Sequence, residues 1–322
     1  MLSLRDRTDV GIVVRSAGER TASACVSILR EQLPQAPLHV VQEYPFERAL
    51  LATFEWAASQ HTTWTLSVDA DVLFGGDGVG ALLRGADAMP SHYLQVQARI
   101  ADKVTGEYRI AGQRVYRTDL LTGLAAHVPP PGRQIRPEGY VIDRMAALGH
   151  PSRLLPDVVA LHDYEQFYAD LYRKALVHAR KHSWMLSVMF DRCVAGMSVD
   201  PDFRVVLRGL VDGLLWEGSI SIDKRKFEAA SQRALQDLGL VEKPQLTVGP
   251  DISRQAEALL QRAIQQQPVP GLPVLDHPGG RFDDVRQRLA RASARIARRG
   301  LLRGLVGTTG AALRALAARL DP

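Results

Sequence analysis

The first third of the chain alternates strand-like apolar runs with helix-spaced ones, and this alternation constrains the fold more than any other feature. Val10 to Arg15 reads as a buried strand. Thr21 to Gln32 reads as a helix, with Ala22, Cys25, Val26 and Leu29 on one face. Leu38 to Val41 is a second strand, Glu47 to Ser59 a second helix and Trp64 to Val68 a third strand. Strand, helix, strand, helix, strand predicts an α/β class, with a mainly parallel sheet flanked by helices. No Gly-x-Gly-x-x-Gly follows the first strand and no Walker A motif occurs, which lowers a dinucleotide-cofactor reading.

The third strand runs directly into Asp69-Ala70-Asp71. In an open α/β sheet, ligands bind at the carboxyl ends of the strands. Side chains at i and i+2 of an extended segment point the same way, so two carboxylates there are expected to converge on one hard cation. Magnesium or manganese suits such oxygen ligands and is commonly shared with substrate phosphates. Spacing alone is weak evidence, because about one Asp-x-Asp arises by chance at this length and composition. A second, Asp200-Pro201-Asp202, has no buried strand before it.

Later segments complete the alternation. Gly80 to Ala88 reads as a short helix, Tyr93 to Ile100 and Gln113 to Arg117 as strands with a turn near Gly106. Pro137 to Leu148 reads as a helix, with Pro137 in its first turn and Gly149 as its stop. Val158 to Leu161 is an apolar strand ending at His162-Asp163. From Tyr164 the pattern is helical: 165–182, 202–216, 224–238 and 253–266. The stripe Phe167, Leu171, Ala175 and His178 reads as core or interface. The expected organisation is an α/β unit over 1–165, a helical extension over 166–266, a Pro-rich linker over 267–280 and a basic amphipathic tail over 281–322.

The chain has 322 residues, of which 46% are hydrophobic and 23% charged, enough for a sizeable core. Its net charge of +5 is concentrated in residues 281–322, where ten arginines face three aspartates. Val285, Leu289, Ala292 and Ile296 recur there near helical spacing, a pattern that suits an anionic membrane surface or self-association. The tail has no interleaved aromatics, so nucleic acid is a poor partner. Cys25 and Cys193 fit a reducing compartment. With no signal-peptide core and no membrane-length apolar run, the expected location is cytoplasmic, peripheral at the inner face of the membrane if the tail binds lipid.

Taken together, the strand order, the string Leu66-Ser67-Val68-Asp69-Ala70-Asp71, the helix opened by Glu138 and the strand ending at His162 resemble the GT-A-fold glycosyltransferases, in particular family 2-like enzymes. The resemblance covers residues 9–165. It implies a nucleotide-sugar donor and a glycan or lipid-linked acceptor, with inversion at the anomeric carbon and a place in glycan or cell-surface polysaccharide synthesis. It also implies that Asp69 and Asp71 bind the donor diphosphate and a Mn2+ or Mg2+ ion, with His162 as a third metal ligand. Arg15 and Ser16 would lie beside the donor nucleotide, and Glu43 would take a base edge. The family's Glu-Asp motif maps onto Glu138-Gly139, so its Asp position holds glycine. Glu138 is then the first candidate for the base that takes the acceptor proton and Asp143 the second. Arg117, Arg133 and Arg136 are weaker candidates for diphosphate or acceptor contacts.

Two other readings stand beside this one. A nucleotidyltransferase shares the sheet and the metal–phosphate chemistry, but would carry a Gly-rich basic loop where Arg15-Ser16-Ala17-Gly18-Glu19-Arg20 stands. A non-catalytic scaffold would keep the fold and use its helices and tail for assembly.

Overall fold

A computed structural model describes residues 3–266 and 275–277. The remaining Pro-rich linker positions and the basic tail 281–322, with its expected membrane contact or self-association, lie outside the described residues. No helix among the described residues is long and apolar enough to cross a membrane.

In chain order the strands are β1 (Val10–Arg15), β2 (Leu38–Val41), β3 (Trp64–Asp69), β4 (Val72–Phe74), β5 (Gln95–Asp102), β6 (Tyr108–Arg109), β7 (Gln113–Arg117), β8 (Ser152–His162) and β9 (Leu275–His277). The helices are α1 (Ala22–Gln32), α2 (Phe46–Ser59), α3 (Gly78–Asp87), α4 (Leu121–Ala125), α5 (Pro137–Ala147), α6 (Tyr168–Lys181), α7 (Leu186–Gly196), α8 (Pro201–Leu215), α9 (Glu228–Asp237) and α10 (Ile252–Gln266). Among the described residues one sheet runs β2-β1-β3-β7-β5-β8-β4, with β6 on β5 and β9 on β8.

The half β2-β1-β3 is parallel, as the opening alternation predicts. Beyond β3 the sheet is mixed. Strand β7 is antiparallel to both β3 and β5, whereas β5 and β8 are parallel. Strand period places alternate side chains on opposite faces. Val10, Ile12 and Val14 join the core under α1, α3 and α10, while Val13 joins the opposite core under α2, α4 and α5. The result is a GT-A-like, Rossmann-type α/β fold.

Strand β8 is longer than its apolar run suggests. Pro156 falls inside it, where the pairing with β5 shifts register between Gln97 and Arg99. A proline lacks the N–H that a ladder needs, so it sits at such an irregularity.

A third core unites α6, α7, α8 and α9. Leu171 and Ala175 of the predicted stripe lie in it. Helices α6 and α8 approach closely because Gly209 and Gly213 carry no side chain; a Cβ there would stand 2.5 Å and 2.3 Å from the carbonyl oxygens of Tyr172 and Leu176. Asp200 caps α8 by accepting from the Asp202 N–H, and both aspartates pair with Lys103, at 2.8 Å and 2.5 Å. The second Asp-x-Asp is thus an N-terminal capping segment. Helix α10 leaves this bundle and returns Ala256 and Leu260 to the sheet core.

Candidate active site

The Asp69-Ala70-Asp71 run is divided between two strands. Asp69 ends β3, beside the last residue of β1, Arg15. The chain then turns at Ala70 and Asp71, and β4 starts at Val72, opposite His162 of β8. The turn is held by the Thr21 hydroxyl, which donates to the Ala70 carbonyl at 2.8 Å, and by the Ala70 N–H, which donates to the Arg15 carbonyl. Gly112 permits the close approach beneath: its φ is +66°, and a Cβ would stand 2.5 Å from Val72 Cγ2. Because the backbone turns rather than continuing extended, the two carboxylates enter different groups of side chains.

The first group surrounds Arg15. Its Nε donates to Asp69 Oδ1 at 2.8 Å and its Nη1 to Glu138 Oε1 at 2.7 Å. Glu138 also accepts from Arg114, at 2.5 Å, and from the Tyr116 hydroxyl, at 2.9 Å. Burial opposes the Glu138 charge, but Arg114 and Arg15 outweigh it and hold its pKa down to about 2. A carboxylate held so low is a weak proton acceptor at neutral pH. Asp69 moves the other way: burial, with repulsion from Asp71 and Glu138, lifts it to about 6 against the pull of Arg15.

The second group is the metal-like one. Asp71, His162 and Asp163 are buried and offer ligand atoms within 4.8 Å of one another. Asp163 follows β8 with φ of +62°, a left-handed turn that Asp tolerates better than most residues. His162 Nε2 faces Asp71 Oδ1 at 3.6 Å, while Nδ1 lies 2.9 Å from Asp102 Oδ2 and 3.1 Å from Asp163 Oδ2. Asp102 is in turn 2.8 Å from Arg109. Lys174 of α6 donates to both Asp71 and Asp163. Burial opposes all these charges. Asp163, Asp71 and Asp102 nonetheless hold His162 up at about 10, and Lys174 and His162 keep Asp71 below the ordinary carboxylate value.

These residues fit a divalent ion. Asp71 Oδ1 and Asp163 Oδ2 are buried and face the His162 ring, at 3.6 Å and 3.1 Å, without a hydrogen bond of good geometry. The imidazole has one nitrogen toward Asp71 and the other on a supporting carboxylate, the arrangement that orients a metal-binding histidine. Two carboxylates and one imidazole suit manganese or magnesium.

The other expected site residues are placed as follows. Ser16 is buried, and its hydroxyl donates to Glu19 and accepts from the Gly18 N–H, closing the loop after β1. Glu43 is exposed in the loop after β2, and Asp143 lies on the exposed face of α5, five residues beyond Glu138. Arg117 pairs in register with Trp64 and covers its ring, at the opposite end of β3 from Asp69. That placement removes it from both groups of side chains. Asp163, Asp102, Lys174, Arg109, Arg114 and Tyr116 are the site residues that sequence reasoning did not select.

No family model matches the sequence, and no curated protein matches it. Solved structures do. A glycosyltransferase involved in the glycosylation of the major capsid of PBCV-1 is 16% identical, over 48% of this chain and 94% of that one, with a TM-score of 0.35. The mannosyltransferase PcManGT from Pyrobaculum calidifontis, in complex with GDP-Man and Mn2+, is 15% identical over 82% of each chain, with a TM-score of 0.36.

Proposed function

We propose that the chain is a metal-dependent glycosyltransferase that moves a sugar from a nucleotide-sugar to a hydroxyl acceptor. One observation carries the reading: Asp71, His162 and Asp163, with buried ligand atoms within 4.8 Å of one another, lie at the carboxyl ends of β3 and β8 beside the Arg15–Asp69 pair. Asp71, His162 and Asp163 would hold the ion, which when bound supplies positive charge to the donor's diphosphate and the leaving nucleotide. Arg15, fixed by Asp69 and Glu138, keeps a guanidinium beside the turn that carries Asp71. On this reading Ser16 and Glu43, on the loops after β1 and β2, would flank the nucleotide. Glu138 acts as the anchor of Arg15 and Arg114 rather than as the proton acceptor, because both guanidiniums suppress its basicity.

The catalytic unit on this reading extends past residue 165, since Lys174 of α6 completes the charge balance of the cluster. A thermal-shift screen of nucleoside diphosphates and nucleotide-sugars, with and without Mn2+, tests the proposal. Ligands that bind the native state raise the Tm. One nucleotide giving a shift that needs Mn2+, together with Mn2+-dependent release of the sugar, is the expected result. Absence of any nucleotide-dependent shift returns the chain to the scaffold reading.

A further inference from the structure

Helix α6 turns different faces to different surroundings. Lys174 enters the metal-like cluster. Tyr172, two residues earlier, lies about 200° away around the helix, and its hydroxyl donates to Asp212 Oδ2 of α8 at 2.7 Å. Beside this pair a cavity of about 340 Å³ opens between α6, α8 and α9, with Trp216 and Glu217 after α8 completing its wall. None of Asp71, His162 and Asp163 lines it.

The cavity has an apolar side and a polar side. Trp216 is half-buried and packs edge-on against Phe227, with ring centres 5.2 Å apart. Its carbonyl accepts from Arg180, so ring and backbone are both held in place. Leu215, 74% exposed, and Ala230 of α9 extend the apolar side. On the polar side Arg208 Nε donates to Asp212 Oδ1 at 3.0 Å and Nη2 donates to Asp237 Oδ2 of α9 at 2.8 Å. Arg208 Nη1 and Asp237 Oδ1 keep hydrogen-bonding capacity, a donor beside an acceptor.

Charge narrows the class of ligand. Arg208 and Arg233 line the cavity together with Asp212, Asp237 and Glu217. The two signs nearly cancel, so the lining favours neither a phosphate nor a polycation. The walls match a ligand that accepts from one group, donates to its neighbour and lays C–H groups on an indole. A neutral sugar does all three: adjacent hydroxyls pair with a guanidinium and a carboxylate, and the ring C–H surface packs on the aromatic face. The volume lies near the lower end of small-molecule sites, about 300–1,000 Å³, which suits a short oligosaccharide segment.

We propose that the cavity between α6, α8 and α9 binds a neutral glycan, with Trp216 as its platform and Arg208 and Asp237 pairing with adjacent hydroxyls. The site is separate from the proposed catalytic cluster, with the roughly 10–12 Å thickness of α6 between them. Binding there needs neither the metal nor the nucleotide.

The test applies the full chain to an array of immobilised neutral and acidic oligosaccharides, in Mn2+ and in EDTA. Retention by at least one neutral oligosaccharide, equal in the two buffers, is expected. Calorimetric titration with the soluble form of the best-retained one then compares variants. Asp237→Asn should weaken binding by about tenfold, the loss expected for one charge-assisted hydrogen bond. Trp216→Ala should weaken it by about tenfold or more, and Trp216→Phe should keep most of it. Circular dichroism checks that each variant is folded; the Asp237 side chain is 56% exposed, so its replacement does not open the core. Retention by no neutral oligosaccharide, retention by acidic ones alone, a requirement for Mn2+, or unchanged affinity in both Asp237→Asn and Trp216→Ala overturns the proposal. So does displacement of the oligosaccharide by a nucleoside diphosphate with Mn2+, which would place it in the donor site. A protein that binds the oligosaccharide but no nucleotide keeps this site and loses the glycosyltransfer, so the two readings fail separately.

Discussion

Lys174 reaches from α6 to Asp71 at the turn after β3 and places its ammonium among the oxygens best suited to a metal. The contact links the helical bundle to the sheet, and Asp163 accepts from the same ammonium. A divalent ion entering between Asp71 and Asp163 must therefore displace a resident cation. Lys174→Met is expected to bind Mn2+ roughly tenfold or more tightly, on the scale of one close charge in a partly buried site. It should also be destabilised without metal by about 3 kcal/mol, because two buried carboxylates lose their partner. Electron paramagnetic titration of free Mn2+ and the Tm rise on adding Mn2+ read these effects separately. Equal or weaker Mn2+ binding would show that the ammonium and the ion do not compete.

The ligand set itself predicts unequal losses. Asp71→Asn and Asp163→Asn should each abolish saturable Mn2+ binding in the same titration. Asp69→Asn should leave most of it, since Asp69 is paired with Arg15 and stands outside the cluster. Asp102→Asn should reduce Mn2+ affinity by roughly tenfold or more through loss of the carboxylate that orients His162. If Asp69→Asn removes binding as completely as Asp71→Asn, both carboxylates of the motif are ligands and the division described above is wrong for the loaded protein.

That division marks the limit of what the sequence could tell. The strands before Asp69 were legible because Val10–Val14 is an almost wholly apolar run and Trp64–Val68 is short, mostly apolar and β-prone. Strand β4 is only three residues long and starts immediately after Asp71, so nothing in its composition separates it from the strand before. The i, i+2 rule that would bring Asp69 and Asp71 together holds only for extended backbone, and the turn cancels it. Asp163 became a ligand candidate through a left-handed φ at the end of β8, a feature no periodicity carries. Lys174 lies within a long helix and is distinguished only by what that helix faces. Helix α7, over 186–196, was missed because it follows α6 after a short interval with no proline to mark the break.

Glu138 gives a prediction in pH. Its folded pKa, about 2, lies below the ordinary value of 4.5. A depressed carboxylate adds stability that is fully present above about 4.5 and is lost as pH falls toward 2. The shift corresponds to roughly 3 kcal/mol. Wild type should therefore lose stability across that window more steeply than Glu138→Gln, whose stability is already lower at neutral pH. Urea unfolding midpoints at several pH values measure both slopes. Parallel slopes would mean that Arg15 and Arg114 do not hold the carboxylate in solution. Loss of the Arg15 anchor should also weaken Mn2+-nucleotide binding in Glu138→Gln while sparing binding of Mn2+ alone.

The last prediction concerns the distance between helices. Gly213 faces the Leu176 carbonyl so closely that a Cβ would stand at 2.3 Å, and Ala179 Cβ lies 2.8 Å from the same point. Neither neighbour is the far end of a flexible chain, so α8 must move away from α6 if a side chain is added. Gly213→Val is expected to destabilise the protein by about 2 kcal/mol or more through overpacking. Gly239, where a Cβ would meet nothing within 4 Å, has φ of +62°, so Gly239→Asn tests backbone strain alone and should cost less. Because α6 carries Lys174, the displacement in Gly213→Val should also alter Mn2+ affinity, although Gly213 lies outside the metal cluster. A Gly213→Val protein with unchanged Tm and unchanged Mn2+ titration would show that the two helices do not depend on this contact.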